Sequence, residues 1–203
     1  MRELDDSELV ARALAGEERA FKEIVVRFER PIYTLILRMV RSSSLAEDLA
    51  QETFLKAYRA LDRFDPGHRL SSWLFKIAHN TTIDALRRRT PDSVSLDAAG
   101  DDERPLAETL EDATSPSPEL AAERKDLAAH LEVAMAGMRS EYREVLVLRF
   151  QEGFAYEEIA QVMGLPLGTV KTYIHRARKD LALRMSARGW GPREAETEGA
   201  TGS

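Results

Sequence analysis

The segment from residue 167 to residue 179 carries the side chains best suited to recognising another molecule. Val170, Ile174, Ala177 and Leu181 recur at helical spacing and form an apolar stripe. When a helix buries that stripe, polar side chains project together from its other side: Lys171, Thr172, His175 and Lys179, flanked by Arg176 and Arg178. Arginine and short polar groups reach base edges, and cations hold phosphates. The segment therefore predicts a helix in a DNA major groove, although an ordinary basic, solvated helix face has the same spacing.

The residues before this segment predict a shorter helix and a tight turn. Ile159, Ala160 and Met163 give that helix an apolar side, which can pack on the stripe. Gly164 can adopt the left-handed conformation that ends a helix, and Pro166 suits the opening turn of the next helix, where its missing N–H costs little. Together the two segments predict a helix-turn-helix, which places its second helix in the major groove.

Composition narrows the class of protein. The chain has 203 residues, of which 43% are hydrophobic and 32% charged, and it contains no cysteine. A disulfide framework and a thiolate metal site are therefore excluded. No apolar run reaches membrane-spanning length, and the acidic N-terminus is unlike a signal peptide. The four histidines lack metal-ligand spacing, and there is no phosphate-binding glycine loop. We predict a cytoplasmic protein with no membrane insertion, no cofactor and no enzymatic activity.

The charges are distributed unevenly along the chain. The formal net charge is −6, but residues 167–188 hold six Lys/Arg against one Asp, and residues 69–89 hold five against one. Residues 92–126 hold eleven Asp/Glu against three Lys/Arg. Local potential decides where nucleic acid binds. The pattern therefore predicts two DNA-binding lobes that flank an acidic connector.

The organisation of the chain follows from its periodicity and composition. Apolar residues recur at helical spacing outside residues 90–118, which are rich in Pro, Asp, Ser and Ala and cannot offset the entropy cost of folding. We predict an all-α fold with two helical domains, residues 1–89 and 119–188, joined by a flexible acidic linker over 90–118. Residues 189–203 are predicted to be a frayed tail.

Local signals predict some helix boundaries in the first domain. Pro31 predicts a break in the helical pattern. Ser44 and Glu47 have the spacing of a capping box, which would open a helix that runs to about Leu61. A loop with Asp-Pro-Gly follows, and the next helix is expected from about Ser71 to Arg89.

Four motifs occur in order along the chain. They are AEDLAQETFLKAYRAL, then SSWLFKIAHNTTIDALRRR, a variable linker, and the helix-turn-helix with LGTVKTYIHRARKDL. In this order they resemble bacterial RNA polymerase sigma factors of the extracytoplasmic-function (ECF) group, over roughly residues 20–89 and 119–184. The resemblance implies a sigma region 2-like domain, a region 4-like domain and a promoter-specificity subunit of RNA polymerase. It also implies recognition of the −10 and −35 promoter elements and help with promoter opening.

The resemblance gives the first motif a docking role. In the family, the DLxQE pattern contacts a coiled coil of the polymerase β′ subunit, which implies this role for Asp48, Gln51 and Glu52. An exposed Leu55 beside them is typical of an interface. Composition alone favours an ordinary solvated acidic face, and only the resemblance favours docking. The implied partner is core RNA polymerase, through its β′ and β subunits.

The second motif would bind the −10 element. Lys76, Asn80 and Arg87 fall on one helical face, and Arg88 adds to the cationic end of the helix. An amide side chain can pair with a base, and the cations can hold phosphates. The family captures a flipped base near the preceding loop, which makes Phe64 a stacking candidate. The alternative is that Phe64 is a core residue and that the cations cap the helix end.

The helix-turn-helix would read the −35 element as duplex DNA. The positions that match the family's groove-reaching residues are Thr169, Lys171, Thr172, His175 and Arg176. Arg178 and Arg149 are expected to hold phosphates. Ala155 stands where the family often has a capping Ser or Thr. The missing cap should cost roughly 1 kcal/mol of local stability. Glu157 and Glu158 in the first turn are expected to compensate in part through the helix dipole.

Two further partners and one competing function follow. Promoter DNA is the ligand, and the resemblance also implies an anti-sigma factor, which nothing in these residues identifies. The acidic linker could imitate RNA in a polymerase channel or serve as a passive spacer. The competing interpretation is a helix-turn-helix regulator that binds DNA without joining polymerase.

Overall fold

The structure of the protein is a computed structural model that describes residues 5–89 and 118–190. These residues contain eight α-helices and no strand, which confirms the predicted all-α fold. The helices are α1 (Asp6–Leu14), α2 (Glu18–Val40), α3 (Ser43–Arg59), α4 (Leu70–Arg89), α5 (Pro118–Ala136), α6 (Ser140–Leu146), α7 (Tyr156–Met163) and α8 (Leu167–Ser186). A 3-10 turn follows α3, and a π-helical turn over Val147–Gln151 continues α6. None of the described helices is long and apolar enough to cross a bilayer.

Helix α2 is continuous through Pro31, so the predicted break there is wrong. A proline in a helix interior removes a backbone hydrogen bond and costs about 3 kcal/mol. The apolar stripe that contains Ile24, Phe28, Ile32 and Leu35 continues in phase across the proline, and all four side chains are buried. Burial of one uninterrupted stripe outweighs the local cost.

The start of helix α3 also differs from the prediction. Ser44 lies inside the helix, and the N-cap is Ser42, whose hydroxyl accepts a hydrogen bond from the N–H of Leu45 at 3.5 Å. Arg41 adopts a left-handed conformation, with φ of 58°, and turns the chain between α2 and α3. Because the helix begins earlier, Glu47 is exposed rather than reaching back to a cap.

Helix α4 is the central element of the first part of the chain. It packs on α2 and α3, and Leu74, Phe75 and Ala78 are fully buried. Thr82 is also fully buried, and its hydroxyl donates to the carbonyl of Ala78 at 2.7 Å, so that its polar atom is satisfied within the helix. Only a narrow strip of α4 is left for binding.

The helix-turn-helix is formed by α7 and α8, as predicted. Gly164 ends α7 in the left-handed conformation, with φ of 64°, and its N–H donates to the carbonyl of Ala160. Pro166 lies just before α8, and its carbonyl accepts the N–H of Val170 at 3.1 Å. Val170, Ile174 and Ala177 are buried, so these three residues of the predicted apolar stripe face inward, whereas Leu181 is half-buried.

The described chain divides into two compact units. One contains residues 5–89 and 139–177, and the other contains residues 118–138 and 178–190. Within the first unit α6 packs on α2 and α7 packs on α4. The two predicted domains, residues 1–89 and 119–188, stay a prediction.

The predicted linker and tail fall largely outside the described residues. Of the linker only Pro118, the first residue of α5, is described, and of the tail only residues 189–190. Trp190 donates its backbone N–H to the carbonyl of Met185 at 3.0 Å, and its ring lies 5.5 Å from that of His130.

Candidate nucleic-acid and protein interfaces

The outward face of α8 carries the residues predicted for duplex recognition. The exposed side chains on this face are Lys171, Thr172, His175, Arg176 and Arg178, and Thr169 is half-exposed. The hydroxyl of Thr172 donates to the carbonyl of Gly168 at 2.9 Å, which fixes the orientation of its side chain. Since the opposite stripe is buried, the helix presents short polar groups and cations together, as groove recognition requires.

Glu158 accepts hydrogen bonds from the N-terminal end of α7 and from two side chains near the start of α4. Ala155 has no side-chain oxygen for capping, but its N–H donates to Oε2 of Glu158 at 2.7 Å, which supplies half of a capping box. The same carboxylate accepts from Oγ of Ser72 at 3.1 Å and from Nη1 of Arg69 at 3.2 Å. Burial raises the pKa of Glu158, but these hydrogen bonds and the Arg69 charge together lower it by more, so that the pKa lies below its ordinary value.

Arg149 is engaged within the protein. It is half-buried, its Nη1 donates to the carbonyl of Phe154 at 2.8 Å, and its guanidinium lies 5.0 Å from the ring centre of Tyr156. These contacts hold the turn before α7. A phosphate would have to share the guanidinium with them, and the predicted phosphate contact of Arg149 stays a prediction.

The narrow outward strip of α4 holds the polar residues of the second motif. Lys76, Asn80, Arg87 and Arg88 are all exposed. The structure therefore brings the predicted amide and the predicted cations to one helix face, which is what contact with bases and phosphates needs. Their contact with promoter DNA stays a prediction.

Phe64 lies apart from that exposed strip. Its side chain is only 9% exposed, and its ring meets Trp73 edge-on at 5.4 Å between centroids. The loop that follows is held by Asp65, whose Oδ1 accepts the N–H of Gly67 at 2.8 Å. A base could stack on Phe64 only if this packing were opened. The burial fits the alternative of a core residue, and the stacking role stays a prediction.

The predicted docking residues share one face of α3. Asp48 and Gln51 are exposed, and Leu55 is 58% exposed. Glu52 is half-exposed and pairs with Lys56, with 2.8 Å between Oε1 and Nζ. Lys56 also donates to Oγ1 of Thr81 on α4 at 3.2 Å, which anchors this face to the core.

An apolar groove continues the α3 face onto α2, and the sequence analysis missed it. The groove has a volume of about 640 Å³, and its lining includes Phe21, Val25 and Tyr58 beside Gln51 and Leu55. Tyr58 is 58% exposed, and its ring meets Phe21 edge-on at 4.9 Å. Tyr58 is in helical phase with Leu55, a signal that could have revealed it. The contribution of α2 required knowledge of the tertiary packing.

Two family models match the sequence. Residues 24–91 match sigma-70 region 2, and residues 129–181 match sigma-70 region 4. The first range contains the exposed faces of α3 and α4. The second contains the helix-turn-helix.

Two relatives are similar over most of their length. The RNA polymerase sigma-H factor of Pseudomonas aeruginosa is 38% identical over 179 residues, which cover 86% of this chain and 90% of that protein. The ECF RNA polymerase sigma factor SigW of Bacillus subtilis is 36% identical over 167 residues, which cover 82% of this chain and 89% of that protein.

Two solved structures are similar in fold. CnrH, in complex with the cytosolic domain of CnrY, is 27% identical with a TM-score of 0.60, covering 88% of this chain and 96% of that one. The sigma factor RpoE of Bartonella quintana, in complex with the anti-sigma factor NepR, is 25% identical with a TM-score of 0.62. The match covers 82% of this chain and 96% of that one.

Proposed function

The chain belongs to the extracytoplasmic-function group of RNA polymerase sigma factors. We propose that its exposed helix faces have separate roles in polymerase docking and promoter binding. The chain binds core RNA polymerase and directs promoter-specific transcription initiation. The observation that supports this assignment is that α3, α4 and α8 each bury one side and present a separate polar face. Each face falls in the expected sigma-70 region.

The α3 face is our proposed docking site for core polymerase. Its polar residues, Asp48, Gln51 and Glu52, lie beside the exposed Leu55 on α3, and the apolar groove beyond it contains Phe21. A central apolar patch with a polar rim is typical of protein interfaces. We therefore propose that the docking surface extends across the groove onto α2.

This assignment is tested by replacing one carboxylate on the α3 face. Asp48→Ala should weaken binding to core polymerase about tenfold, the size expected for a contributing interface residue. Glu47→Ala is the matched control, since Glu47 is also an exposed carboxylate on α3 but lies about 100° further round the helix. Titration of labelled chain with purified core measures both. Equal affinities for the two variants would contradict the docking assignment.

The faces of α4 and α8 are our proposed promoter-binding surfaces. On α4, Asn80 would contact a base of the −10 element, and Lys76, Arg87 and Arg88 would hold its phosphates. Phe64 would join them only if its packing on Trp73 opened. On α8 the residues proposed for the −35 duplex are Thr169, Lys171, Thr172, His175, Arg176 and Arg178, with Arg149 at the edge. Such contacts release counterions, so promoter binding should weaken steeply with salt.

An anti-sigma factor is our proposed regulator. One similar structure is a sigma factor bound to an anti-sigma factor, and the exposed apolar groove offers such a protein a surface. Purification of the tagged chain from its own cells, followed by identification of a stoichiometric partner, tests this proposal. A chain recovered free under all growth conditions would contradict it.

We propose that the chain acts by binding alone, with no catalytic group or cofactor, in the cytoplasm where core polymerase works. Among residues 5–89 and 118–190, no group of three or more His, Asp or Glu side chains could hold a metal ion. A DNA-binding regulator that acts without polymerase would bind duplex DNA but not core enzyme. The core titration described for Asp48 therefore separates the two functions.

A further inference from the structure

Two tyrosine rings pack together where the start of α6 meets helix α8. The rings of Tyr142 on α6 and Tyr173 on α8 meet edge-on, with 5.7 Å between their centroids. Both side chains are half-exposed. Neither hydroxyl forms a hydrogen bond with any residue that the structure describes, and neither is among its buried unpaired atoms. Both hydroxyls are therefore open to a ligand.

Arg139, at the start of α6, adds a cation to this pair. Its guanidinium lies 5.4 Å from the centre of the Tyr142 ring, and its side chain is 59% exposed. Nη2 donates to Oε1 of Glu141 at 3.1 Å, which orients the guanidinium. A guanidinium has five N–H donors, so it can serve a further acceptor. We call Arg139, Tyr142 and Tyr173 the Arg139 cluster.

Helical spacing places the Arg139 cluster beside the base-reading face of α8. Successive residues of a helix are about 100° apart. Lys171 therefore lies on one side of Thr172, and Tyr173 lies on the other side. Arg178, the residue of α8 proposed to hold a phosphate, follows Lys171 by seven residues and lies on its side. The flank of Tyr173 has no proposed phosphate contact from α8.

A recognition helix meets the DNA backbone on both of its flanks. The major groove is about 12 Å wide, which is close to the diameter of a helix with its side chains. The central face of the helix therefore meets base edges while the two flanks approach phosphates. Arginine N–H groups and tyrosine hydroxyls are both phosphate donors, and the charged donor forms the stronger hydrogen bond. The Arg139 cluster has this chemistry on the flank where a second strand would lie.

We propose that the Arg139 cluster is a second phosphate-binding site, which holds the DNA strand on the Tyr173 flank when α8 lies in the −35 duplex. Arg139 and the Tyr173 hydroxyl donate to phosphate oxygens of that strand. Tyr142 packs against both residues and sets their separation. Contacts on both flanks fix the orientation of α8 in the groove. The proposal rests on the proposed −35 role of α8.

Glu141 competes with a phosphate for Arg139. Its carboxylate is 25% exposed, and it also accepts from Oγ of Ser140 at 3.3 Å. A phosphate bound to Arg139 lies near this negative charge and is repelled by it. Removal of the charge should therefore strengthen duplex binding, and only while Arg139 is present.

The first test measures duplex affinity of the full chain in complex with core polymerase. The duplex carries a −35 element from a promoter at which the chain initiates. Arg139→Ala should lower affinity about tenfold for every single-base variant of this element alike. The dependence of log affinity on log salt should become shallower by about 0.9, the value for one phosphate. Arg19→Ala is the matched control, since it removes an exposed arginine of α2 and should leave affinity unchanged.

Neutral phosphates locate the contact on the DNA. Single methylphosphonates are placed in turn along both strands of the duplex. At one position the substitution should weaken wild-type binding about tenfold and leave the binding of Arg139→Ala unchanged, because that variant has already lost the contact. Tyr173→Phe keeps the ring packing and removes only the hydroxyl. It should weaken binding about fivefold and lose its sensitivity on the same strand, even if Arg139→Ala disturbs α6.

A double substitution separates a phosphate contact from a general charge effect. Glu141→Gln should strengthen duplex binding about threefold, and it should have no effect in the Arg139→Ala background. An Arg139→Ala variant that binds the duplex as tightly as wild type would overturn the proposal. A loss confined to core polymerase affinity would overturn it too, since the cluster would then contact protein. A wild-type complex with no preference for any −35 sequence would instead count against the proposed function.

Discussion

Helices α4 and α8 have the same length of 20 residues but differ in how much of their surface is buried. Helix α4 contacts α2, α3 and α7 and leaves only a strip exposed. Helix α8 buries the stripe of Val170, Ile174 and Ala177 and exposes most of its remaining side chains. The DNA-binding residues proposed on α4 are therefore exposed on a helix whose other sides are buried, whereas those on α8 stand on a surface helix. Substitutions on the buried sides of α4 should affect folding, and those on the exposed face of either helix should report binding.

The largest expected effect is on the free energy of unfolding, when one leucine on each helix is replaced by alanine. Leu74 on α4 is 0% exposed, so Leu74→Ala should lower the free energy of unfolding by about 2–5 kcal/mol. Leu183 on α8 is 63% exposed, so Leu183→Ala should change it by no more than about 0.5 kcal/mol. Urea denaturation of the two variants measures the difference. Similar losses would show that α8 is more deeply buried than we describe.

The next effect compares two arginines on α8. Arg176→Ala should lower affinity by about 1–3 kcal/mol at particular −35 base pairs and relax the preference there. Arg178→Ala should weaken binding to all duplexes alike and reduce the salt dependence by about one phosphate contact. Binding to a panel of single-base duplex variants separates them. If Arg176→Ala weakened every duplex equally, its proposed base contact would be wrong.

A smaller effect is expected on α4. Asn80→Ala should reduce affinity for a single-stranded −10 element by about 1 kcal/mol, the scale of one lost hydrogen bond. Affinity for the −35 duplex and the free energy of unfolding should not change, since Asn80 is exposed. Fluorescence anisotropy with each DNA measures this. A parallel loss of −35 binding would mean that the two surfaces are not separate.

The smallest effect concerns two glutamates that bracket the start of α7. Burial raises the pKa of Glu152, whereas hydrogen bonds and Arg69 hold the pKa of Glu158 below its ordinary value despite its burial. A lowered pKa means that Glu158 contributes stability above its unfolded-state pKa and loses it as the pH falls through the folded-state value. A raised pKa means that ionised Glu152 opposes folding at neutral pH.

We therefore expect opposite results from two isosteric changes. At neutral pH, Glu158→Gln should destabilise the protein and Glu152→Gln should stabilise it. Both differences should shrink on acidification, as the wild-type carboxylates become protonated. Thermal unfolding from pH 7 to pH 3 measures both. A stabilising Glu158→Gln would show that its contact with α4 does not contribute to stability.

Local sequence signals predicted the parts of the fold that depend on neighbouring residues. The left-handed Gly164, the proline before α8 and the stripe from Val170 were all readable, because turn chemistry and helical spacing act within a few residues. Pro31 and Ser44 were misread where burial of a longer stripe and the left-handed Arg41 decided the outcome.

The contact between α4 and α7 was beyond local reasoning. Ser72 and Glu158 are 86 residues apart, and a Phe at helical spacing gives no sign of which distant ring it will meet. Phe64 shows the same limit, since the sequence left open whether it stacks on a base or belongs to the core, and its packing on Trp73 depends on the fold. The exposed faces of α3, α4 and α8 could be predicted because each is the complement of an apolar stripe.

Transcription in vitro with purified core polymerase, this chain and fragments of its own genomic DNA is the most direct measurement of the central claim. We expect transcripts that begin at a defined set of promoters and that disappear when the chain is left out. A chain that binds core polymerase yet yields no promoter-specific transcript from any fragment would contradict its assignment as a promoter-specificity subunit.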